Sequence, residues 1–357
     1  MDTVFCLRTT SYGGRGLFST ARILKDTLLI SCDAPYATVI YRKFRKEVCA
    51  HCFAYAFDVR KNTWNVKLDG QAGNGVWFCK EECRDAWVIE QNVGGLQGLM
   101  NAAVDKAAKC MKKPKGAPTP AFIDHLRPED ITHEVHDLAW KHAEKVYARS
   151  GTPIPCLDEM ELDSVRFVVS AIVRRYFEDT TPLAHNTLSW SELLQLQDNE
   201  IMHIRSRPYM LDSHMRIYGF LCKVMLPILQ PYVQSSEMVR AILGRDQGNV
   251  FGLWDMSTEG DSEMLGWSMY VSGSYFNHDC APNVRKVRNN RALCFFTTRD
   301  VEAGEELCIN YIDIKDKVLE RRAELASNWY FDCACRRCEG ELAHMNGANC
   351  EPVLTHG

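Results

Sequence analysis

The chain has 357 residues, 46% of them apolar, which is ample to bury a sizeable core in one large domain or two. Acids and bases nearly cancel, leaving a formal net charge of −4, so the chain lacks the global basic field that non-specific nucleic-acid binders carry. No apolar run reaches membrane-spanning length and Met1 to Thr10 carries no charged-then-apolar leader, so we expect a protein of the cytosol or nucleus with no membrane partner.

In chain order, residues 1–48 read as strands and turns, with Ser11 to Gly16 a glycine turn ahead of Leu17-Phe18 and of the apolar run Thr27 to Ile30. Residues 49–93 form a cysteine-paired insert. Within it Trp87, Val88 and later Val93 suggest one short amphipathic helix, weakened by Gly94, Gly95 and Gly98. Residues 94–120 read as a linker, because Lys106 to Pro120 holds five lysines together with Pro114, Pro118 and Pro120. From 121 to 245 the spacing is helical, best seen where Val165, Val168, Val169, Ile172, Val173 and Phe177 fall on one face. A second helical stretch through Ile217, Phe220, Leu221, Val224 and Met225 ends at the Pro227 to Pro231 segment. Glycines and short β-like runs return over 246–313, notably Ala292 to Phe296 and Glu306 to Ile309. Residues 314–340 are a second cysteine-rich region and 341–357 a tail.

Sixteen cysteines are many for such a chain, and in an intracellular protein they serve as metal ligands or core residues. Cys49-x2-Cys52, a 26-residue interval and Cys79-x3-Cys83 make two pairs spaced to grip one tetrahedral ion. Four thiolates suit zinc in a closed, structural site. His51, between two of them, reads as a neighbouring group and not a fifth ligand. Cys333-Ala334-Cys335-Arg336-Arg337-Cys338 supplies three more thiolates, too few for a closed site, and Cys280 is the candidate for the fourth. The remaining thiols, such as Cys6, Cys32, Cys110 and Cys308, are scattered singly and read as small buried hydrophobes or surface groups. The basic runs Lys106 to Lys115 and Arg285 to Arg291 read as solvated loops, or as contacts for an acidic region of a protein partner, so no direct nucleic-acid binding is expected.

Four motifs then stand in order: Gly14-Arg15-Gly16-Leu17-Phe18, Asn277-His278-Asp279-Cys280-Ala281-Pro282-Asn283, Gly304-Glu305-Glu306-Leu307-Cys308-Ile309-Asn310-Tyr311, and the C-x-C-x2-C run. Together they resemble the SET domain of protein lysine methyltransferases. With a zinc-type insert after the first motif, they are most similar to the SET-and-MYND (SMYD) subfamily, its short fungal members above all. The resemblance implies a mixed, β-rich SET fold. Its parts would be short curled sheets with a C-terminal pseudoknot, a MYND-like zinc insert, a helical insert and a post-SET zinc site.

The activity so implied is methyl transfer from S-adenosylmethionine to a lysine of a protein substrate, histone or otherwise. A catalytically weak SET and zinc protein that serves as a peptide-binding scaffold is the alternative. By the same resemblance Gly14, Arg15, Gly16, Asn249, Ser274, Asn277, His278, Tyr311 and Phe331 contact the cofactor. Tyr311 is the catalytic tyrosine, while Trp329 and Tyr330 line the lysine channel. Asn277 would offer both a donor and an acceptor to the cofactor's amine and carboxylate.

Departures from the family pattern carry expectations too. The insert has only half of a MYND ligand set, implying two zinc ions per chain. Only 19 residues follow Cys338, where SMYD enzymes carry a helical domain, so a more open cleft is expected. Asp279 stands where serine is usual and Trp329 where tyrosine is usual. Substrate, methyl number and oligomeric state stay open at this level.

Overall fold

The structure, a computed structural model, describes residues 4–10, 14–68, 70, 75–111, 126–181, 189–255 and 262–348. Chain order begins with β1 (Phe5–Thr9), β2 (Arg15–Ser19), β3 (Leu28–Cys32) and β4 (Ala37–Ile40). Helices follow: α1 (Glu81–Glu90), α2 (Leu96–Cys110), α3 (His133–Tyr147), α4 (Glu159–Thr180), α5 (Trp190–Leu193), α6 (Glu200–Ser206), α7 (Tyr209–Val224) and α8 (Glu237–Asn249). Strands then resume as β5 (Val250–Trp254), β6 (Met264–Met269), β7 (Asn277–His278), β8 (Val284–Asn289), β9 (Ala292–Thr297) and β10 (Glu306–Ile309), before α9 (Val318–Trp329) and α10 (Arg336–Ala348). The chain divides into two compact units. The first spans 1–31, 273–288 and 293–357, and the second 32–272 with 289–292.

In the first unit a four-stranded sheet runs β1-β2-β10-β7. β10 lies antiparallel to β2, pairing Glu306 with Phe18, and parallel to β7, pairing Cys308 with Asn277. Segments from the two ends of the chain are thereby held side by side, together with β7 and β10, which are close in sequence. The strand β9 shows why such short runs become strands: Leu293, Phe295 and Thr297 are buried while the residues between them are less so, the period-two pattern of a sheet with one covered face. Phe295 stacks on Phe276, with ring centroids 4.5 Å apart, in the core behind the sheet.

The second unit holds the β4-β6-β5 sheet and the helices α1 to α8. Its centre is α4, whose Val165, Val168, Val169, Ile172, Val173 and Phe177 are all buried, as their spacing predicts. Asp158 starts this helix by accepting from the Glu161 N–H at 2.8 Å, while Glu161 reaches back to the Asp158 N–H at 2.9 Å, a reciprocal capping box. Among the described residues no helix is long and apolar enough to cross a membrane.

The expected linker over 94–120 needs correction, because 96–110 is the helix α2. The glycines that argued against a helix stand mostly before it: Gly94 and Gly95 have φ of +65° and +76°, a left-handed turn that launches α2. Leu96, Met100 and Val104 then repeat every fourth residue on one buried face, with Gly98 beside them. Lysine content described the helix's outer face. Residues 112–120 lie outside the described set. In α1 Trp87 is buried as expected and Val88 is exposed, while Val93 lies beyond the helix end at Glu90 and is exposed.

Candidate functional site

The parallel pairing of β7 with β10 sets the site, because it carries Asn277 and His278 to within hydrogen-bonding reach of the segment ending in Tyr311. The Tyr311 N–H donates to His278 Nδ1 at 3.0 Å, so in the neutral imidazole Nε2 carries the proton. That nitrogen stands 3.2 Å from Cys280 Sγ. Burial holds the His278 pKa down to about 4, which keeps the ring neutral and Nδ1 available as an acceptor near neutral pH. The Tyr311 hydroxyl donates to the Phe276 carbonyl at 2.7 Å, and burial pushes its pKa up, so the phenol stays protonated.

Aromatic rings surround this junction. Trp329 lies 5.5 Å from Tyr311, ring to ring, and Phe331 lies 6.2 Å from His278 while remaining 36% exposed. Tyr330 ends α9 in the left-handed region at φ 63°, unusual for a non-glycine residue, and so turns the chain between these two rings.

Of the glycine turn, Ser11 to Gly13 lie outside the described residues, while the segment Gly14 to Gly16 meets Asn277. Asn277 Nδ2 donates to the Arg15 carbonyl at 3.0 Å and to Glu306 Oε1 at 2.7 Å. A side chain at Gly16 would run into the ends of the Glu306 and Asn277 side chains, so a larger residue there would have to displace that hydrogen-bonded pair. Gly14 stands at φ +75° with no heavy atom within 4 Å of where a Cβ would project. The Arg15 guanidinium lies 5.5 Å over the Tyr275 ring. Ser274 sits in the 3-10 turn 273–275 just ahead of β7.

The structure therefore brings together Gly14, Arg15, Gly16, Ser274, Asn277, His278, Tyr311, Trp329, Tyr330 and Phe331 in the first unit. Asn249 is different. It ends α8 in the second unit, where its Nδ2 donates to the carbonyls of Gln197 and Arg245 at 2.9 and 2.8 Å. The Asn277 amide protons expected for a ligand are likewise engaged within the protein. Asp279, in place of serine, accepts from the Ala281 N–H at 2.7 Å, the local turn bond that a hydroxyl would also make.

Both cysteine sets assemble. The sulfurs of Cys49, Cys52, Cys79 and Cys83 lie within 4.8 Å of one another, as do those of Cys280, Cys333, Cys335 and Cys338. Neighbouring sulfurs stand 3.6 Å apart for Cys52 and Cys79 and 3.5 Å apart for Cys280 and Cys338. Those spacings exceed a disulfide bond of about 2 Å. They match the edge of a tetrahedron of about 3.8 Å that four sulfurs about 2.3 Å from one ion would form. The donor set thus fits zinc. In each set one thiol is pulled well below the ordinary range by its neighbour's hydrogen bond, Cys49 to about 5 by Cys52 and Cys335 to about 4 by Cys333.

Two residues with parts in this network received no role in the sequence reading. Glu306 sat inside a quoted motif but signalled nothing beyond it. Arg321 is fully buried, and it donates to Cys280 Sγ at 3.4 Å, Cys338 Sγ at 3.7 Å and Glu341 Oε2 at 2.8 Å. Its one signal is position: Val318, Arg321 and Leu325 share the buried face of α9, where a lone arginine needs a partner.

The model of the SET domain matches residues 14–312, and the chain belongs to the SET domain family. It is 30% identical to the potential protein lysine methyltransferase SET6 of Saccharomyces cerevisiae over 96% of both chains. A SET and MYND domain-containing protein of Dictyostelium discoideum is 36% identical over 94% of this chain and 81% of its own length. A crystal structure of the SET domain of LSMT bound to lysine and AdoHcy aligns at a TM-score of 0.34 and 12% identity, covering 93% of this chain and 53% of that one.

Proposed function

We propose that this chain is a protein-lysine N-methyltransferase that uses S-adenosylmethionine and holds one zinc ion in each cysteine set. Membership of the SET family supports the reaction class. The observation that carries the reading is the Tyr311 phenol, buried, kept neutral and anchored on the Phe276 carbonyl beside the Trp329 ring.

S-adenosylmethionine supplies the methyl group as part of a sulfonium. The chain's own residues then do the positioning, which dominates the rate of an in-line displacement. With its hydrogen given to Phe276, the Tyr311 oxygen keeps lone pairs that can accept from the substrate amine and orient it. Trp329 supplies an apolar wall that lowers the amine pKa by desolvation, so that lysine is neutral when it reacts. The open space above Gly14 and the part-exposed Phe331 ring offer a cradle and a stacking face for a nucleoside. The zincs are structural. The second would fix Cys280, and through His278 the backbone of Tyr311, while supplying no reacting group.

The protein substrate is read at a lysine, in the cytosol or nucleus. Incubation of purified protein with labelled S-adenosylmethionine and cell extract should transfer label to a protein lysine. A peptide-binding scaffold would transfer none.

A further inference from the structure

Away from that site, and independently of the methyl-transfer reading, the second unit contains a cavity of about 70 Å³, several times what one water requires. Its wall carries Arg45, Arg166 and Gln91, with Val39, Val76 and Trp87 beside them. Arg45 and Arg166 are only 9% and 5% exposed. Both are partly paired: Arg45 Nη1 lies 3.2 Å from Asp105, and Arg166 donates to Asp105 at 2.6 Å and to Asp163 at 3.0 Å.

The pairing leaves donors over. Arg45 Nη2, Arg166 Nε and Gln91 Nε2 are all buried and make no hydrogen bond within the protein, and all three residues line this one cavity. Buried donors of this kind are costly unless something accepts from them. Gly75 helps to shape the place, since a Cβ there would come within 2.9 Å of Arg45 Nη1. The missing component is therefore rich in acceptors. Two guanidiniums and two carboxylates already balance in formal charge, so a dianion would add more uncompensated buried charge than a monoanion. The apolar residues on the same wall favour a ligand with a short hydrocarbon body.

We propose that this cavity binds a small organic carboxylate, its two oxygens accepting from the unpaired guanidinium and amide donors and its apolar end lying against Val39, Val76 and Trp87. The carboxylate geometry suits a guanidinium fork.

The test uses full-length, zinc-loaded protein and calorimetric titration with sodium propionate, propionamide and sodium phosphate. Arg45→Met would remove one of the two guanidiniums on Asp105 and could loosen the fold, so the variant is Gln91→Leu, which breaks no ion pair. Propionate should bind saturably, and both propionamide with wild type and propionate with Gln91→Leu should be weaker by about tenfold. Propionamide binding as well as propionate, phosphate binding more tightly, or undiminished affinity in Gln91→Leu would each overturn the proposal. So would a crystal structure grown in propionate with water alone on Arg45 Nη2.

Discussion

The two cysteine sets offer the same four sulfurs and differ in what stands behind them. Cys49 and Cys83 are buried in an apolar cluster with Trp64, Phe78 and Trp87, where the rings of Phe78 and Trp87 lie 5.6 Å apart. Cys280 and Cys338 also sit in an apolar cluster, with Ile312, Val318 and Leu325, but in addition face polar donors, the His278 ring and the Arg321 guanidinium. One set is a staple for its own insert. The other is joined through His278 to the N–H of Tyr311, and its cluster also packs against Tyr311 and Trp329. A shared ligand chemistry therefore need not mean a shared role, since the role depends on which neighbours the ligands hold in place.

Breaking the second set should have the largest effect. Cys335→Ser is expected to lower the metal content from two ions to one, and to abolish both cofactor binding and turnover. Metal analysis with calorimetry on the same preparation would check it; retained turnover with one metal lost would show that this site does not support Tyr311.

Next in size is Tyr311→Phe, expected to lower turnover by roughly a hundredfold, by analogy with loss of one preorganised hydrogen-bonding group, here the acceptor that orients the amine. The hydroxyl's bond to Phe276 adds a stability cost of about 1 kcal/mol, visible as a melting temperature lower by a few degrees. Cofactor affinity should hold. Full turnover per folded molecule in this variant would remove Tyr311 from the catalytic role.

Arg321→Gln keeps a donor and deletes the charge facing Cys280 and Cys338. It should lose metal from the second set about tenfold more readily in a chelator competition, leaving the first set untouched. Equal loss from both sets would mean that the fold as a whole had loosened.

The smallest functional effect is expected from Cys52→Ser. One metal should go and the insert should melt earlier, because its apolar cluster loses its staple, yet titration should find cofactor affinity unchanged. A matching fall in affinity would erase the distinction between the two sets.

Much of this was legible in the chain itself. Ligand types and spacings fixed the first cysteine set, because Cys49 with Cys52 and Cys79 with Cys83 are local pairs on tight turns. Hydrophobic period revealed α4, which buries one continuous face, and a short apolar run revealed β9. The order of the four motifs by itself resembles the SET family. What misled was composition without pattern: the lysines of 106–115 suggested a linker, although Leu96, Met100 and Val104 were already spaced for a helix.

Only the tertiary structure could decide the rest. The chain alone could not give Arg321 its sulfur partners, commit the Asn277 amide to Arg15 and Glu306, or place Asn249 on carbonyls of the second unit. Nor could it set Arg45, Arg166 and Gln91 around one cavity. Spacing along the chain reports neighbours within a turn or a strand, where geometry is set by the backbone. A buried hydrogen bond between residues tens or hundreds of positions apart depends on which elements pack together, and that was settled by the burial of apolar faces, not by the polar residues they carry inward.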